Sequence, residues 1–541
     1  MVVGAGFILS DHYHHLFCFF EMVELSVPGW VLRALRGEMG FFDNILLGFQ
    51  VILDPINLLF CFIGVLVGTL IGVLPGIGPT AAMALLLPAT FKATPTSSII
   101  MLTGILYGAM YGGSTTSILV NIPGEASSIV TCIDGYQMAR QGRAGPALGI
   151  AAWGSFIAGT VSVIALMFIS HPLAKAALSF SFPEYFALMC TGLIAVTYLA
   201  RFSILKALMM AMFGLLIGNV GLDMITGLPR FTFGINELTD GVGIIPVIMG
   251  LFGITEVLEN IEQQLENRQI FKTHVRNLWP SLKDWAEAKW AILRGAIIGF
   301  FIGVLPGGSG TLSSFFSYAV EKKVSKHPER FGKGAIEGVA GPESANNAST
   351  GGCLIPLLSL GIPPNVTMAV LFSALVIHGI QPRPTLITDH PDIFWGLVAS
   401  MYVGNVMLLI LNLPLIGIWV QVLKIPYRIL FPLITLFCLI GAYSVSNSTV
   451  DLILMIFFGA MGYLMRKFGY EGAPLVLAFV LGPMIEQALR QSLLLSGGTF
   501  MIFISRPISG ITLGVGFLLL LSTIFPHVKK GLQKYREFEE S

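Results

Sequence analysis

Charge is what this chain has least of. Aspartate, glutamate, lysine and arginine make up 11% of its 541 residues, against about 25% in a soluble protein, and 55% of the residues are hydrophobic. With a mean hydropathy of +0.81, that balance excludes a water-soluble enzyme and indicates a polytopic membrane protein. The net charge of +1 favours neither sign, and no basic cluster is interleaved with aromatics, so nucleic acid is not an expected partner. The six cysteines (Cys18, Cys61, Cys132, Cys190, Cys353 and Cys438) are scattered, and no C-x-x-C occurs. That excludes a disulfide framework and a zinc ribbon and leaves them as small buried hydrophobes. No phosphate-cradling P-loop is present, which excludes ATP-driven transport by this chain alone. Residues 1–38 show neither the basic start nor the small-residue cleavage site of a signal peptide. They read as an N-terminal extension ahead of a cleaner start at Met39.

Glycine and proline, in contrast, are plentiful, with 61 and 29 copies. They lie largely within apolar stretches, as expected where membrane helices pack closely or break. Their arrangement exposes an internal repeat. Gly64 to Thr80 reads GVLVGTLIGVLPGIGPT, and Gly295 to Thr311 reads GAIIGFFIGVLPGGSGT. The two agree at nine of seventeen positions without a gap. Glycine at every fourth residue (Gly64, Gly68, Gly72, Gly76; Gly295, Gly299, Gly303, Gly307) cuts a bare groove along one helix face, which lets a second helix approach closely in lipid. Proline at Pro75 and Pro306 then removes a backbone donor and clashes with the preceding turn. Each helix is therefore expected to stop within the bilayer, where freed backbone groups must be satisfied by protein, water or ligand. Interrupted helices at matching places in two halves point to a transporter site.

Taken in order, the chain divides into a first transmembrane repeat (39–258), a cytoplasmic linker (259–289), a second repeat (290–526) and a basic tail (527–541). The basic residues of the linker and tail place both on the cytoplasmic side. A short apolar return follows each break, at 81–91 and at 312–320, and is too short to span straight. The segment after the first return carries Tyr111, Ser114, Thr115 and Thr116 and leaves into Asn121-Ile122-Pro123-Gly124. The segment after the second carries Glu343, Ser344, Asn346 and Asn347 and leaves into Gly361-Ile362-Pro363-Pro364. Ile99 to Val120 reads as a long span whose mid-span hydroxyls and glycines serve either as helix–helix glue or as the lining of a wet cavity, and the site is placed at loops over Ser114–Thr116 and Glu343–Asn347 beside the breaks. The expected fold is all-α and polytopic, with two homologous, inverted halves, one broken, re-entrant helix in each, and about twelve membrane elements.

A broken helix exposes unpaired amide donors and a positive dipole end at the start of its second half, which favours an anion. Two breaks facing one another would hold a carboxylate between them. The candidate substrate-binding residues are Pro75, Gly76, Gly78 and Thr80 at the first break and Pro306, Gly307, Ser309, Gly310 and Thr311 at the second. Ser114, Thr115, Thr116, Asn121, Ser344, Asn346 and Asn347 complete the set. Neither motif contains lysine or arginine, so the anion would be held by amides and hydroxyls. The carbonyls at Gly76, Gly78, Gly307 and Gly310, together with Glu343, are candidates for coupling to Na⁺ at the breaks or to a proton. An alternative use of Glu343 is to cap a helix N-terminus. Two other functional readings remain. Gly307-Gly308-Ser309-Gly310 fits the G-x-S-G pattern of intramembrane serine proteases, with His378 as the base; a plain channel or scaffold is the other.

Several longer stretches carry a resemblance. GVLPGIGPTAAMALLLPATF, YGGSTTSILVNIPGEASSIV, DGYQMARQGRAGPALGIAA, GVLPGGSGT and GPESANNASTGGCLIPLLSLGIPP closely resemble the large membrane subunit of the bacterial tripartite tricarboxylate transporters. The likeness runs from Met39 to the C-terminus. It implies secondary, cation-driven uptake of citrate-like carboxylates across the inner membrane. It also implies two partners, a periplasmic substrate-binding protein and a small membrane subunit of about four spans, and no cofactor beyond the coupling ion. The family's glycine–proline motifs correspond to Gly72–Thr80 and Gly303–Thr311.

Overall fold

The computed structural model describes residues 40–74, 78–200, 203–223, 225–262, 278–423 and 427–522. The N-terminal extension, Pro75 and Gly76, the middle of the linker and the basic tail lie outside the described residues.

The described residues begin with α1 (Phe41–Ile52), then α2 (Pro55–Val73) and a short α3 (Pro79–Leu86), which a 3₁₀ turn extends to Thr90. Next come α4 (Pro95–Val120), α5 (Ile129–Arg140), α6 (Ala144–Ala177), α7 (Phe182–Tyr198) and α8 (Ile204–Gly218). A small hairpin pairs Gly221–Leu222 with Pro229–Arg230. Then α9 (Ile244–Glu262) runs to the linker. The second half contains α10 (Leu282–Val304), α11 (Gly310–Val324), α12 (Glu337–Leu360), α13 (Val366–Ile377) and α14 (Pro391–Asn412). It ends with α15 (Tyr427–Ser446), α16 (Thr449–Lys467), α17 (Gly472–Leu495) and α18 (Pro507–Ser522).

Local chemistry sets these boundaries. Asp54 caps α2 by accepting from the Ile56 amide at 2.9 Å, with Pro55 in the first turn. Thr94 caps α4 through the Ser97 amide at 3.1 Å. Ser281 and Asp284 form a capping box that starts α10, so the helix begins well before the expected 290 boundary. The two polar helices end alike. Asn121 closes α4 at φ +58° and Gly361 closes α12 at φ +72°, both left-handed, and each is followed two residues later by proline.

The glycine grooves do what their spacing predicts. α2 lies against α4 so closely that a Cβ on Gly64, Gly68 or Gly72 would collide with the carbonyl oxygens of Met101, Ile105 and Ala109. α10 lies against α12 in the same way, with Gly295, Gly299 and Gly303 facing the carbonyls of Gly341, Ala345 and Ser349. Contacts at this range leave no room for any side chain.

Two readings need correcting here. Ser114–Thr116 and Glu343–Asn347 are not loops: the first lie inside α4, which covers the span read over Ile99–Val120, and the second lie inside α12. Every residue from Thr96 to Val120, and from Gly338 to Ser359, is buried. Both helices are enclosed by protein instead of lipid, which is why glycines and hydroxyls are tolerated at that depth. Among the described residues six helices are long and apolar enough to cross a membrane, and for the same reason neither α4 nor α12 is one of them. The second return is also longer than expected, since α11 continues to Val324.

The halves exchange helices. α6, from the first half, packs on α12 and α10, while α14, from the second, packs on α6, α4, α2 and α1. α13 packs on α3, and α11 on the turn before α5. A separate group forms where α7, α8 and α17 pack together and α9 packs on α16 and α15.

Candidate functional site: the cavity between the two breaks

At the first break, α2 stops at Val73. The carbonyl of Val73 accepts from the Thr116 hydroxyl of α4 at 2.7 Å. Gly124 packs directly on Gly72, where a Cβ would strike the Gly72 carbonyl. At the second break, α10 stops at Val304 and the chain turns through Gly307 at φ +79°, a conformation that favours glycine. The Gly307 amide donates to the Pro364 carbonyl at 2.9 Å. The Asn365 side chain donates to the Gly308 carbonyl at 2.8 Å. Partners from the polar helix α4 at the first break, and from the segment just after the polar helix α12 at the second, therefore meet the freed backbone groups.

Both breaks reach one cavity of about 380 Å³. The starts of α3 (Gly78, Pro79, Thr80), α11 (Ser309, Gly310, Thr311) and α13 (Asn365, Val366, Thr367) line it, as do Ala126 and Ser127 ahead of α5. The start of α17 contributes Glu471, Ala473 and Pro474. Several helix N-termini thus converge on one space, with their unpaired amides and positive dipole ends. The Thr80 and Thr367 hydroxyls share a hydrogen bond at 2.7 Å, joining the first break to the helix that follows the second. Reciprocally, a Cβ on Gly310 would meet the Ser127 Cβ at 3.2 Å, so the second break abuts the turn that follows α4.

The expected residues divide into three groups. Gly78, Thr80, Gly307, Ser309, Gly310 and Thr311 line the cavity. Ser114, Thr115, Thr116, Ser344, Asn346 and Asn347 are buried behind it in α4 and α12. Asn346 donates to Glu125 Oε1 at 3.3 Å, and Glu125 does line the space. Asn121 and Pro306 are not brought in. Asn121 is an exposed helix cap, and Pro306 packs against Gly192. Glu343 does not cap a helix end, because Ile336 occupies the cap of α12. Its buried carboxyl accepts from Ser114 Oγ at 2.5 Å and from the Thr131 hydroxyl. Asn347 donates to Ser155 Oγ of α6 at 2.7 Å.

Sequence reasoning missed much of the wall. Asn365 carried a readable signal, a helix-capping residue placed just before an apolar run, and it does cap α13 through the Met368 amide at 3.0 Å. Glu125, Ser127, Ser349, Thr350 and Thr367 carried none. Nor did Glu256 and Arg466, which bring charge to a site expected to have no basic residue. Arg466 is paired with Glu256 at 2.7 Å and with Glu259.

The serine–histidine pair is not assembled. Ser309 caps α11 through the Leu312 amide at 3.3 Å. Asn365, at the start of α13, sits at this break, while His378 caps the opposite end of α13, about 18 Å away at 1.5 Å per residue.

The chain resembles two proteins of Agrobacterium vitis. One is an uncharacterized 52.8 kDa protein from the TAR-I ttuC′ 3′ region, 51% identical over 496 residues, covering 92% of this chain and 99% of the relative. The other is an uncharacterized protein from the TAR-II ttuC′ 3′ region, 50% identical over 231 residues, covering 43% of this chain and 96% of the relative. No solved structure matches. The tripartite tricarboxylate transporter TctA family model matches residues 58–477, a stretch that contains both grooves, both breaks and the cavity between them, and the chain belongs to that family of membrane transport components.

Proposed function

We propose that the chain is the membrane-spanning permease of a secondary, binding-protein-dependent importer of tricarboxylates or related carboxylates, and that the cavity between the breaks is its substrate site. The observation that carries this reading is the convergence of both threonine-tipped segments on one space. Its amide and hydroxyl donors suit an anion that must be released again, because neutral donors hold a carboxylate less firmly than charged ones. The coupling cation, Na⁺ or H⁺, would use the carbonyls at the breaks and the buried carboxyl of Glu343, which has hydroxyl partners on two helices of the first half. Citrate stands as the reference substrate. A periplasmic substrate-binding protein would deliver it, a small membrane subunit of about four spans would complete the complex, and the inner membrane is the expected location.

The repeated order of grooved helix, break, short helix and polar helix supports two related halves in inverted orientation. The cavity lies between these units and the group containing α7, α9, α16 and α17. That division suits alternating access in which one body carries the site past the other.

The test is citrate uptake by the reconstituted complex with its binding protein, under separately imposed sodium and pH gradients. Saturable, gradient-driven accumulation is expected, whereas linear uptake would indicate a pore. Thr80→Val and Thr311→Val should each impair uptake while the protein remains folded in the membrane. Unchanged rate and affinity in both variants would refute the site.

A further inference from the structure

The wall of the cavity opposite the breaks carries a guanidinium that the neutral-donor picture does not use. Arg466 lies in the last turn of α16, and Glu256 and Glu259 lie one turn apart on α9. Each ion pair has a short contact at Nη1. A guanidinium has five N–H donors in a planar fork that matches a carboxylate, more than the two short contacts at Nη1 use. Arg466 and Glu256 both line the cavity, and 37% of the Arg466 side chain is exposed. Glu256 lies two residues beyond a π-helical stretch, Met249–Ile254, held where the Thr255 hydroxyl donates to the Gly250 carbonyl at 3.1 Å. Such π-turns are frequent at functional sites. Neighbouring charges have their own partners, since Lys467 pairs with Glu262 at 3.0 Å.

The geometry points to Arg466 as the second anchor of a two-ended carboxylate. One carboxylate lies at the helix N-termini of the breaks. A distal carboxylate of the same molecule takes donors of the Arg466 fork, in competition with Glu256 and Glu259. This assignment rests on the cavity being the substrate site. It adds a specificity rule: di- and tricarboxylates use both walls, and a monocarboxylate gains nothing from Arg466. The two glutamates give the competition that lets the anchor release.

The experiment measures KM and kcat for citrate uptake by the reconstituted complex. It also measures equilibrium binding of citrate and of acetate to the membrane complex without the binding protein. Arg466→Gln should weaken citrate binding about 10- to 100-fold, the loss expected for a charge-assisted pair, and leave acetate binding unchanged. Arg466→Lys keeps the charge and the tie between α9 and α16, so it should restore folding while citrate KM stays raised. Glu256→Gln should lower citrate KM and lower kcat together, because release loses its competitor. Equal loss for citrate and acetate in Arg466→Gln, or full recovery of citrate KM in Arg466→Lys, would overturn the assignment and leave Arg466 a structural tie. A wild-type complex that neither binds nor accumulates any carboxylate would instead fail the substrate-site reading itself.

Discussion

Set side by side, α2–α4 and α10–α12 are the same device built twice with different chemistry. In each, a grooved helix breaks and a polar helix covers the groove, and the three glycine contacts keep constant spacing along both polar helices. That spacing aligns Thr103 of α4 with Glu343 of α12, and Tyr107 with Asn347. The Thr103 and Tyr107 hydroxyls are buried without a hydrogen-bond partner, whereas the Glu343 carboxyl is held by two hydroxyls. The glycine contacts are the same in both halves. At these aligned positions the carboxyl belongs to one half alone.

The comparison is broken most severely at the grooves. Gly68→Val and Gly299→Val would each drive a side chain into a backbone carbonyl, of Ile105 and of Ala345 respectively. Overpacking of this kind costs more than ~3 kcal/mol where backbone cannot move. Neither variant should yield monodisperse folded protein on size exclusion in detergent. One tolerated and one lost would show that the two grooves are not equivalent.

The next effect falls on the carboxyl. Glu343→Gln should abolish gradient-driven accumulation but preserve exchange of substrate across the membrane. Under a tenfold ion gradient, loss of one coupled cation lowers the accumulation ratio about tenfold, or 1.4 kcal/mol. Thr103→Val, at the aligned position, should leave accumulation unchanged, because its hydroxyl has no hydrogen-bond partner. Equal behaviour of the two variants would remove Glu343 from coupling.

Smaller losses are expected where a freed carbonyl loses its partner. Thr116→Ala strands the Val73 carbonyl, while Asn365→Ala leaves the Gly308 carbonyl only the weak Cys353 thiol at 3.7 Å and removes the cap of α13. An unsatisfied buried acceptor costs ~1–3 kcal/mol, read as a lowered Tm in both. Only Asn365 lines the cavity, so only its replacement should also raise the KM for uptake.

These contrasts mark how much was legible in advance. The grooves and breaks could be read because they depend on local sterics: glycine every fourth residue and Val-Leu-Pro-Gly act through their own backbone. The state of Ser114–Thr116 and Glu343–Asn347 could not. Glycine, proline and hydroxyls favour loops locally, and burial by other helices overrides that preference. The opposite wall was hidden for a different reason. Glu256, Thr367 and Arg466 come from helices far apart in sequence, and nothing beside them signals that they meet. Absence of arginine from the motifs was therefore a poor guide to its absence from the site.

The smallest expected change tests whether the two tips are interchangeable. Gly78 caps α3 without a side-chain hydrogen bond, while Ser309, at the aligned position, caps α11 through the Leu312 amide. Gly78 has φ −72°, and a Cβ there would meet nothing within 4 Å, so serine can enter without strain. Serine exceeds glycine as a cap by a few tenths of a kcal/mol, and Gly78→Ser should raise Tm by about a degree or less with unchanged citrate KM. The reverse exchange is not available at the next residue, where a Cβ on Gly310 would strike Asn346 Oδ1. If Gly78→Ser instead raised KM severalfold in folded protein, the bare backbone at the first break would be the surface the ligand approaches. The two threonine tips would then serve the substrate unequally, one by its amides and the other by its hydroxyls.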